Sequence, residues 1–413
     1  MSEPRLVKSN DVAMRASHRL AELHIERNVK VAQLSTRLTL AGVGNVVASL
    51  VRGMRSQPYH SDIWCLEQAD VVGEDLRAAG YPVIELQRRR RRDFGLFFRL
   101  AALIRKEHID ILHCHDELSW FYGAIGARLA GLNRIIFTVH GRRFDTSVRH
   151  LREQYFLGRM SAAVVCVSSS LRRQMIEEIG IPQTKAVVIR NGTPMQSLDM
   201  AAELRQRIRE TLGISESVIL IGSIGRLDPV KNLDLLLEAV ADATPRIPSV
   251  EIVLAGEGRS KEYLAQKAAT LGLSDKVHFL GLRKDVSDLL SAIDIYTCTS
   301  DREGISLSIL EAMVAERAII ATAVGGNLEL IEPSKSGLLI NRGDRQALGK
   351  AIIALAVDAE RRQRLGKQAR QAVKVNFSLE RMLVDYDRLY QSLLTARSNL
   401  DWALSSTPQQ YLS

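Results

Sequence analysis

The feature that most restricts this chain is a succession of short apolar runs that do not alternate with polar residues. Seven lie in the first half, at residues 31–36 (VAQLST), 62–68 (DIWCLEQ), 82–86 (PVIEL), 110–115 (DILHCH), 134–140 (RIIFTVH), 162–168 (AAVVCVS) and 185–191 (KAVVIRN). Six follow, at 218–225 (VILIGSIG), 251–258 (EIVLAGEG), 276–281 (KVHFLG), 294–300 (DIYTCTS), 318–325 (AIIATAVG) and 337–340 (GLLI). A strand with one wet face alternates apolar and polar side chains. A run apolar throughout is buried on both faces, as in a parallel sheet covered by helices. Helical patterns fill the gaps, among them 44–54, 94–107, 117–131 and 169–179. At 413 residues the chain exceeds what one core supports. Two sets of strands, each spread over about 190 residues, predict an α/β protein of two Rossmann-like doubly wound domains.

The expected boundary is IRNGTP (189–194), where Asn191-Gly192 and then Pro194 supply turn chemistry after a strand. This divides the chain into domains 1–192 and 193–378, with a charged helix at 200–212 bridging them. A final helix at 379–396 carries an apolar stripe of Met382, Leu383, Tyr386, Leu389, Tyr390 and Leu393 with no strand after it, so it is expected to return to the first domain. Residues 397–413 form a weakly patterned tail.

No stretch of 18 apolar residues exists, so no membrane-spanning helix is expected. Residues 1–17 have no apolar core and no small-residue cleavage site, so no secretory leader is expected there. Cys65, Cys114, Cys166 and Cys298 form no CxxC pair and fall in strand-like runs, which predicts buried free thiols and a reducing, cytoplasmic setting. Residues 1–200 hold 29 of the 56 Lys and Arg and 20 of the 47 Asp and Glu, which places the whole net charge of +9 in the first half. Such asymmetry suits an anionic partner or serves solubility alone.

Two stretches carry the chemistry. In SDREGISLSILEAM (300–313) a strand gives way to a glycine loop and then to a helix starting near Ser306 or Leu307. That turn gathers free amides and a positive helix end, an anion site. Glu303 in the loop can accept hydrogen bonds from sugar hydroxyls. Glu311 lies a turn into the helix among Ile309, Leu310, Ala312 and Met313, where a carboxylate is expected to have a partner. In GSIGRLDPVKNLDLLLEA (222–239), Arg226 and Lys231 follow a strand's carboxyl end, where ligands bind in doubly wound sheets. Arg226 offers a fork and Lys231 a point charge for phosphate oxygens.

These stretches resemble the family-4 retaining glycosyltransferases, whose fold is GT-B, with two Rossmann-like domains facing across a cleft. The resemblance covers roughly residues 30–395 and extends to AGEG (255–258), HFLG (278–281) and AVGGNLELI (323–331). It implies transfer of a hexosyl group from a nucleoside-diphosphate sugar to a carbohydrate or lipid-linked glycan, in cell-surface polysaccharide or lipopolysaccharide assembly, without metal or cofactor. It implies that Arg226 and Lys231 bind the donor diphosphate and that Glu311 binds the ribose. It also sets Glu303 on the sugar, helped by the amides of Gly304, Ile305 and Ser306, with Leu280, Gly281 and Leu282 near the base. His140, in FTVHG, matches a histidine beside the transferring sugar; a strand-end structural histidine is the plainer alternative. The sequence departs from the pattern in two places. Gly-Ile-Ser follows Glu303 where Gly-Phe-Gly is common, and the first-domain Gly-Gly-x-Glu loop reads Ala41-Gly42-Val43-Gly44, so only Gly42 carries over, as a point of backbone approach to the phosphate.

Alternatives from other classes are an inactive sugar-binding protein of the same fold and a dinucleotide oxidoreductase. The latter's fingerprint is broken by Val47 where a third glycine belongs. His113 and His115 alternate in HCHD, but no matching ligand cluster exists, so no metal site is expected. Five arginines, Arg88, Arg89, Arg90, Arg91 and Arg92, precede FGLFFRLAALIRK (94–106). Basic residues beside Phe94, Phe97 and Phe98 suggest peripheral binding to an anionic membrane surface at its cytoplasmic face, against the alternative that the aromatics join the core. No nucleic-acid partner is expected.

Overall fold

A computed structural model describes residues 28–39, 42–56, 58–89, 93–141, 147–199, 201–247 and 249–395. The 397–413 tail and Arg90, Arg91 and Arg92 lie outside the described residues.

Among the described residues, thirteen strands form two sheets. The first holds β1 (Val29–Ser35), β2 (Tyr59–Cys65), β3 (Val83–Glu85), β4 (Ile111–Cys114), β5 (Ile135–Val139), β6 (Ala163–Cys166) and β7 (Ala186–Val188). The second holds β8 (Ile219–Ile224), β9 (Val250–Ala255), β10 (Val277–Gly281), β11 (Ile295–Cys298), β12 (Ala318–Thr322) and β13 (Leu338–Ile340). Their orders are β3-β2-β1-β4-β5-β6-β7 and β10-β9-β8-β11-β12-β13, and every named pairing is parallel. The non-alternating runs thus become what they predict. Central strands such as β5 and β12 are buried along their whole length.

Both sheets are doubly wound. The chain leaves β1 towards β2 on one side and leaves β4 towards β5 on the other; β8 and β11 repeat this in the second sheet. The loops after these strand pairs diverge and leave a crevice at the carboxyl edge. All four cysteines are buried and free.

Two chain crossings join the sheets. Thr193 pairs with Ser378 in a parallel bridge, and Leu379 donates to the Thr193 carbonyl at 3.0 Å. Beyond that point the helix Leu379–Leu394 lies on the first sheet, where Met382, Tyr386, Leu389 and Tyr390 share a core with Val29, Val31, Ile111 and Val165. The helix Ala201–Leu212 belongs to the second. Its Arg209 is 1% exposed and donates to the carbonyls of Ala292 and Ser215 at 2.8 Å each, with Asp294 at 3.3 Å. The two terminal nitrogens of this buried guanidinium are hydrogen-bonded, while its Nε makes no hydrogen bond among the described residues and lies 3.4 Å from Glu216 Oε1.

Candidate active site

At the second sheet's switch point, β8 ends in Gly225-Arg226 and β11 runs into Thr299–Gly304. A short 3-10 turn, Pro229–Lys231, folds Lys231 back over the β11 loop, where its Nζ lies 2.6 Å from Glu303 Oε1. Ser300 Oγ donates to the same oxygen at 2.6 Å. Lys231 is 23% exposed and Glu303 11%. Burial pulls the Lys231 ammonium down, but the Glu303 carboxylate outweighs that, and its pKa ends above the ordinary lysine value. Arg226 stands apart, 64% exposed, with Asp228 as a partner at 2.9 Å.

The loop after Glu303 is held by backbone packing. A side chain at Gly304 would collide with the His140 carbonyl, and side chains at Gly325 or Gly326 would collide with the carbonyls of Glu303 or Gly304. The helix Leu307–Val314 starts here, capped by the Ser306 hydroxyl, which accepts from the Ile309 amide. Ile305 and Ser306 are buried beneath the loop.

Glu311 corrects one expectation. Among the described residues no hydrogen-bond or ion-pair partner reaches its carboxylate, although it is only partly exposed. Burial alone pushes its pKa up to about 7. The apolar neighbours that made a partner seem required supply no donor. Leu280, Gly281 and Leu282 close β10: Gly281 accepts from the Gly256 amide at 2.7 Å, and Leu282 is 63% exposed. Gly256 (φ 145°) abuts the Gly225 carbonyl so closely that no side chain fits, so the ends of β8, β9 and β10 form a shelf of bare backbone.

From the first domain, Gly42 (φ 48°) precedes the helix Val43–Gly53 and His140 follows β5. Asp116 ties the β1 and β4 loops together. It accepts from the Thr36 amide at 2.6 Å and from the Ser119 amide at 2.9 Å, which caps the helix Glu117–Ala130. His140 stacks on His115 (ring centroids 5.6 Å apart), with its Nε2 3.3 Å from His115 Nδ1. Burial pushes the His140 pKa down to about 4. Among the described residues no group of three or more His, Cys, Asp and Glu is placed to hold a metal ion; His113 and His115 are instead hydrogen-bonded.

A cleft of about 1930 Å³ separates the two switch points. Gly42, His115 and His140 line it from one side and Arg226, Lys231, Glu303 and Gly304 from the other. It exceeds the ~300–1,000 Å³ of a single-ligand pocket and so has room for two substrates. Ile305, Ser306, Glu311 and Leu280 to Leu282 are not part of its wall. A cluster of aromatic rings, Phe94, Phe97, Phe121 and Tyr122, also lines the cleft. Sequence reasoning missed a clamp between the two domains. Glu329 of the second domain accepts from the Ser169 amide (2.6 Å), at the start of the first-domain helix Ser169–Glu177, and pairs with Arg190 at 2.9 Å. The only sequence signal for it is its place in GGNLEL.

Two doubly wound domains facing across a cleft, with a charged loop on one wall and a histidine on the other, set the fold class and the candidate site. Comparison with known proteins completes the assignment. Residues 205–372 match the family Glycosyl transferases group 1, and residues 40–196 match Glycosyltransferase Family 4. The chain belongs to the family-4 glycosyltransferases of GT-B fold and is an enzyme of class 2.4, which removes the oxidoreductase alternative. It is 25% identical over 342 residues to the UDP-Gal:alpha-D-GlcNAc-diphosphoundecaprenol alpha-1,3-galactosyltransferase of Escherichia coli, covering 80% of this chain and 88% of that one. It is 27% identical over 318 residues to the N-acetyl-alpha-D-glucosaminyl L-malate synthase of Bacillus anthracis, covering 74% and 81%. Anabaena HepE, solved with UDP and glucose, superposes with a TM-score of 0.79 over 88% of this chain and all of that one at 22% identity, a likeness of fold.

Proposed function

We propose that this glycosyltransferase moves a hexosyl group from a nucleoside-diphosphate sugar to a carbohydrate or lipid-linked glycan, with retention at the anomeric carbon and without a metal, in cell-surface polysaccharide or lipopolysaccharide assembly. The observation that carries the reading is the Lys231–Glu303 pair at the head of the helix Leu307–Val314, opposite His140. The bond from the anomeric carbon to the β-phosphate oxygen breaks and the oxygen keeps the electron pair. Lys231, Arg226 and the amides of Gly304, Ile305 and Ser306 stabilise that charge. The acceptor oxygen bonds to the same face of the carbon and its proton passes to the leaving phosphate. Glu303, held by Lys231 and Ser300, accepts from the sugar hydroxyls, and His140 contacts the sugar from the other domain. Gly42 lets backbone approach the phosphate. The base extends along the bare shelf towards Leu280–Leu282, and Glu311 gains in the ribose hydroxyls the donors it lacks. Glu303 and Glu311 are not a hydrolytic pair, because the second serves the nucleotide.

The acceptor side favours a lipid-linked substrate. Phe94 and Phe98 are each 68% exposed beside exposed Arg89, while Phe97 turns into the core. Phe94 also lines the cleft. The Escherichia coli relative's name specifies a diphosphoundecaprenol acceptor. Peripheral membrane binding through residues 88–98 follows. Wild type should co-sediment with anionic vesicles at low salt and release near 0.5 M, where the Debye length is on the order of 4 Å. Replacing Arg89 to Arg92 by Ser should abolish it and leave the Arg88–Glu67 pair intact. Equal behaviour of both proteins removes the membrane reading. The transfer itself is tested by a screen of UDP-, GDP- and ADP-hexoses for nucleotide release in the presence of EDTA, followed by mass analysis of products on lipid-linked acceptors. Activity lost in EDTA and restored by Mg²⁺ contradicts the metal-free reading.

A further inference from the structure

Beneath His140 lies a chain of buried polar groups that the transfer reaction as described does not use. His115 Nε2 is 2.8 Å from Gln33 Oε1, and Gln33 Nε2 donates to the Tyr390 hydroxyl at 3.2 Å. Tyr390 lies 2.8 Å from His113 Nδ1; His113 Nε2 lies 2.7 Å from Thr138 Oγ1, and Thr138 lies 3.1 Å from the Tyr386 hydroxyl. Burial holds His113 near pKa 3, with His140 adding to the effect, and His115 well below its ordinary value, so both are neutral at pH 7. A neutral imidazole has one donor and one acceptor, so each bond dictates the next.

Gln33 is where the directions are set. Its Oε1 only accepts, so His115 carries its proton on Nε2 and its Nδ1 is bare. His140 must then donate from Nε2, and its own Nδ1 carries a lone pair. That Nδ1 is buried and has no hydrogen-bond partner among the described residues. On the other branch Tyr390 accepts from Gln33 and so gives its proton to His113 Nδ1, which leaves His113 Nε2–H to donate to Thr138. Turning the Gln33 amide over reverses every one of these bonds and puts a proton on His140 Nδ1.

We propose that Gln33 and His115 are positioning residues that hold His140 as its Nε2–H tautomer, presenting Nδ1 as an acceptor for a hydroxyl of the donor sugar and not as a donor to phosphate. This rests on the reading that His140 contacts the sugar. Tyr390 comes from the helix Leu379–Leu394, so that helix takes part in the hydrogen-bond network beneath the first-domain site.

The test is long-range ¹H–¹⁵N correlation on the full chain labelled at histidine, with signals assigned from His113→Gln, His115→Gln and His140→Gln. In wild type all three should be neutral Nε2–H tautomers from pH 6 to 8. In Gln33→Leu, His115 and His140 should become tautomer mixtures and kcat should fall about 10- to 100-fold, with unchanged affinity for the free nucleoside diphosphate. Gln33→Glu, whose carboxylate accepts the same His115 N–H, should restore the wild-type tautomers of His115 and His140 and most of the rate, while Tyr390, now donating to the carboxylate, turns His113 to its Nδ1–H form. His140 found as Nδ1–H in wild type overturns the proposal even if the Gln33 variants do not fold, and so do unchanged tautomers in a folded Gln33→Leu. A His140→Gln enzyme at full rate would instead remove the sugar contact and leave the tautomer result standing.

Discussion

On the second-domain wall of the cleft, Glu303 sits in a loop with a lysine and a serine, each 2.6 Å away and each within 72 residues of it in sequence. On the first-domain wall, His140 is held through His115 and Gln33 by Tyr390, and the Gln33–Tyr390 bond spans 357 residues. One wall is charged and built from loops that follow adjacent strands. The other has charged residues such as Arg37, Asp116 and Glu117 along it, but at His140 it rests on a neutral, buried network assembled from distant parts of the chain. The difference separates two tasks: neutralising a departing diphosphate needs charge near the surface, whereas orienting a sugar needs fixed hydrogen-bond directions away from water.

Variants sharpen this contrast. The largest effect is expected for Glu303→Gln: turnover should drop at least ~100-fold, as for loss of a transition-state contact. Affinity for free nucleoside diphosphate should hold or rise, since Lys231 is released. Equal losses in calorimetric affinity and in kcat would break the division between sugar and phosphate. Lys231→Ala should weaken nucleoside diphosphate by about 1.5–3 kcal/mol, the range for a charge-assisted bond, and Arg226→Ala by the lower end of that range because its side chain is 64% exposed. Unchanged affinity in both variants removes the phosphate assignment.

Glu329→Gln should cost about 1–2 kcal/mol by loosening the clamp on Arg190 and Ser169. The expected signature is faster amide exchange over 169–177 and 325–330 with strands β8 to β12 unaffected; exchange unchanged at both segments would show that the clamp carries nothing.

Glu311 gives the most pH-dependent effect. Its pKa is raised from 4.5 to about 7, so the stability linked to it is present below the unfolded value and is lost as pH rises through about 7. Glu311→Gln should match wild type in thermal stability near pH 4 and exceed it at pH 8, by less than about 3 kcal/mol given its partial exposure. With nucleoside diphosphate present the order at pH 8 should reverse, because the ribose then satisfies the carboxylate. A variant that gains nothing at pH 8 without ligand contradicts the unpartnered carboxylate.

Legibility followed the same contrast. All thirteen strands of the described residues were visible, the central ones because a strand buried on both faces leaves an apolar run. Glu303, Arg226 and Lys231 were visible because strand-end loops carry their chemistry in local sequence. Gln33, Thr138, Tyr386 and Tyr390 were not: each reads as an ordinary member of a buried strand or helix stripe, and only the three-dimensional fold joins them. Phe97 against Phe94 and Phe98 shows the same limit. Phe94 and Phe98 are four residues apart and share the outer stripe, while Phe97 falls on the face with Leu96, Leu100 and Ile104. Glu311 failed as an expectation because apolar neighbours announce burial and say nothing about whether a donor is near.

The central claim is that the charged wall expels a nucleoside diphosphate while the sugar keeps its configuration. Once the screen has identified a donor, proton NMR of the first product formed measures this directly, through the anomeric coupling constant of the newly transferred sugar. The account predicts an α-linked product from an α-linked nucleotide sugar, with one nucleoside diphosphate released per bond formed and no change in EDTA. A β-linked product from the same donor would contradict it.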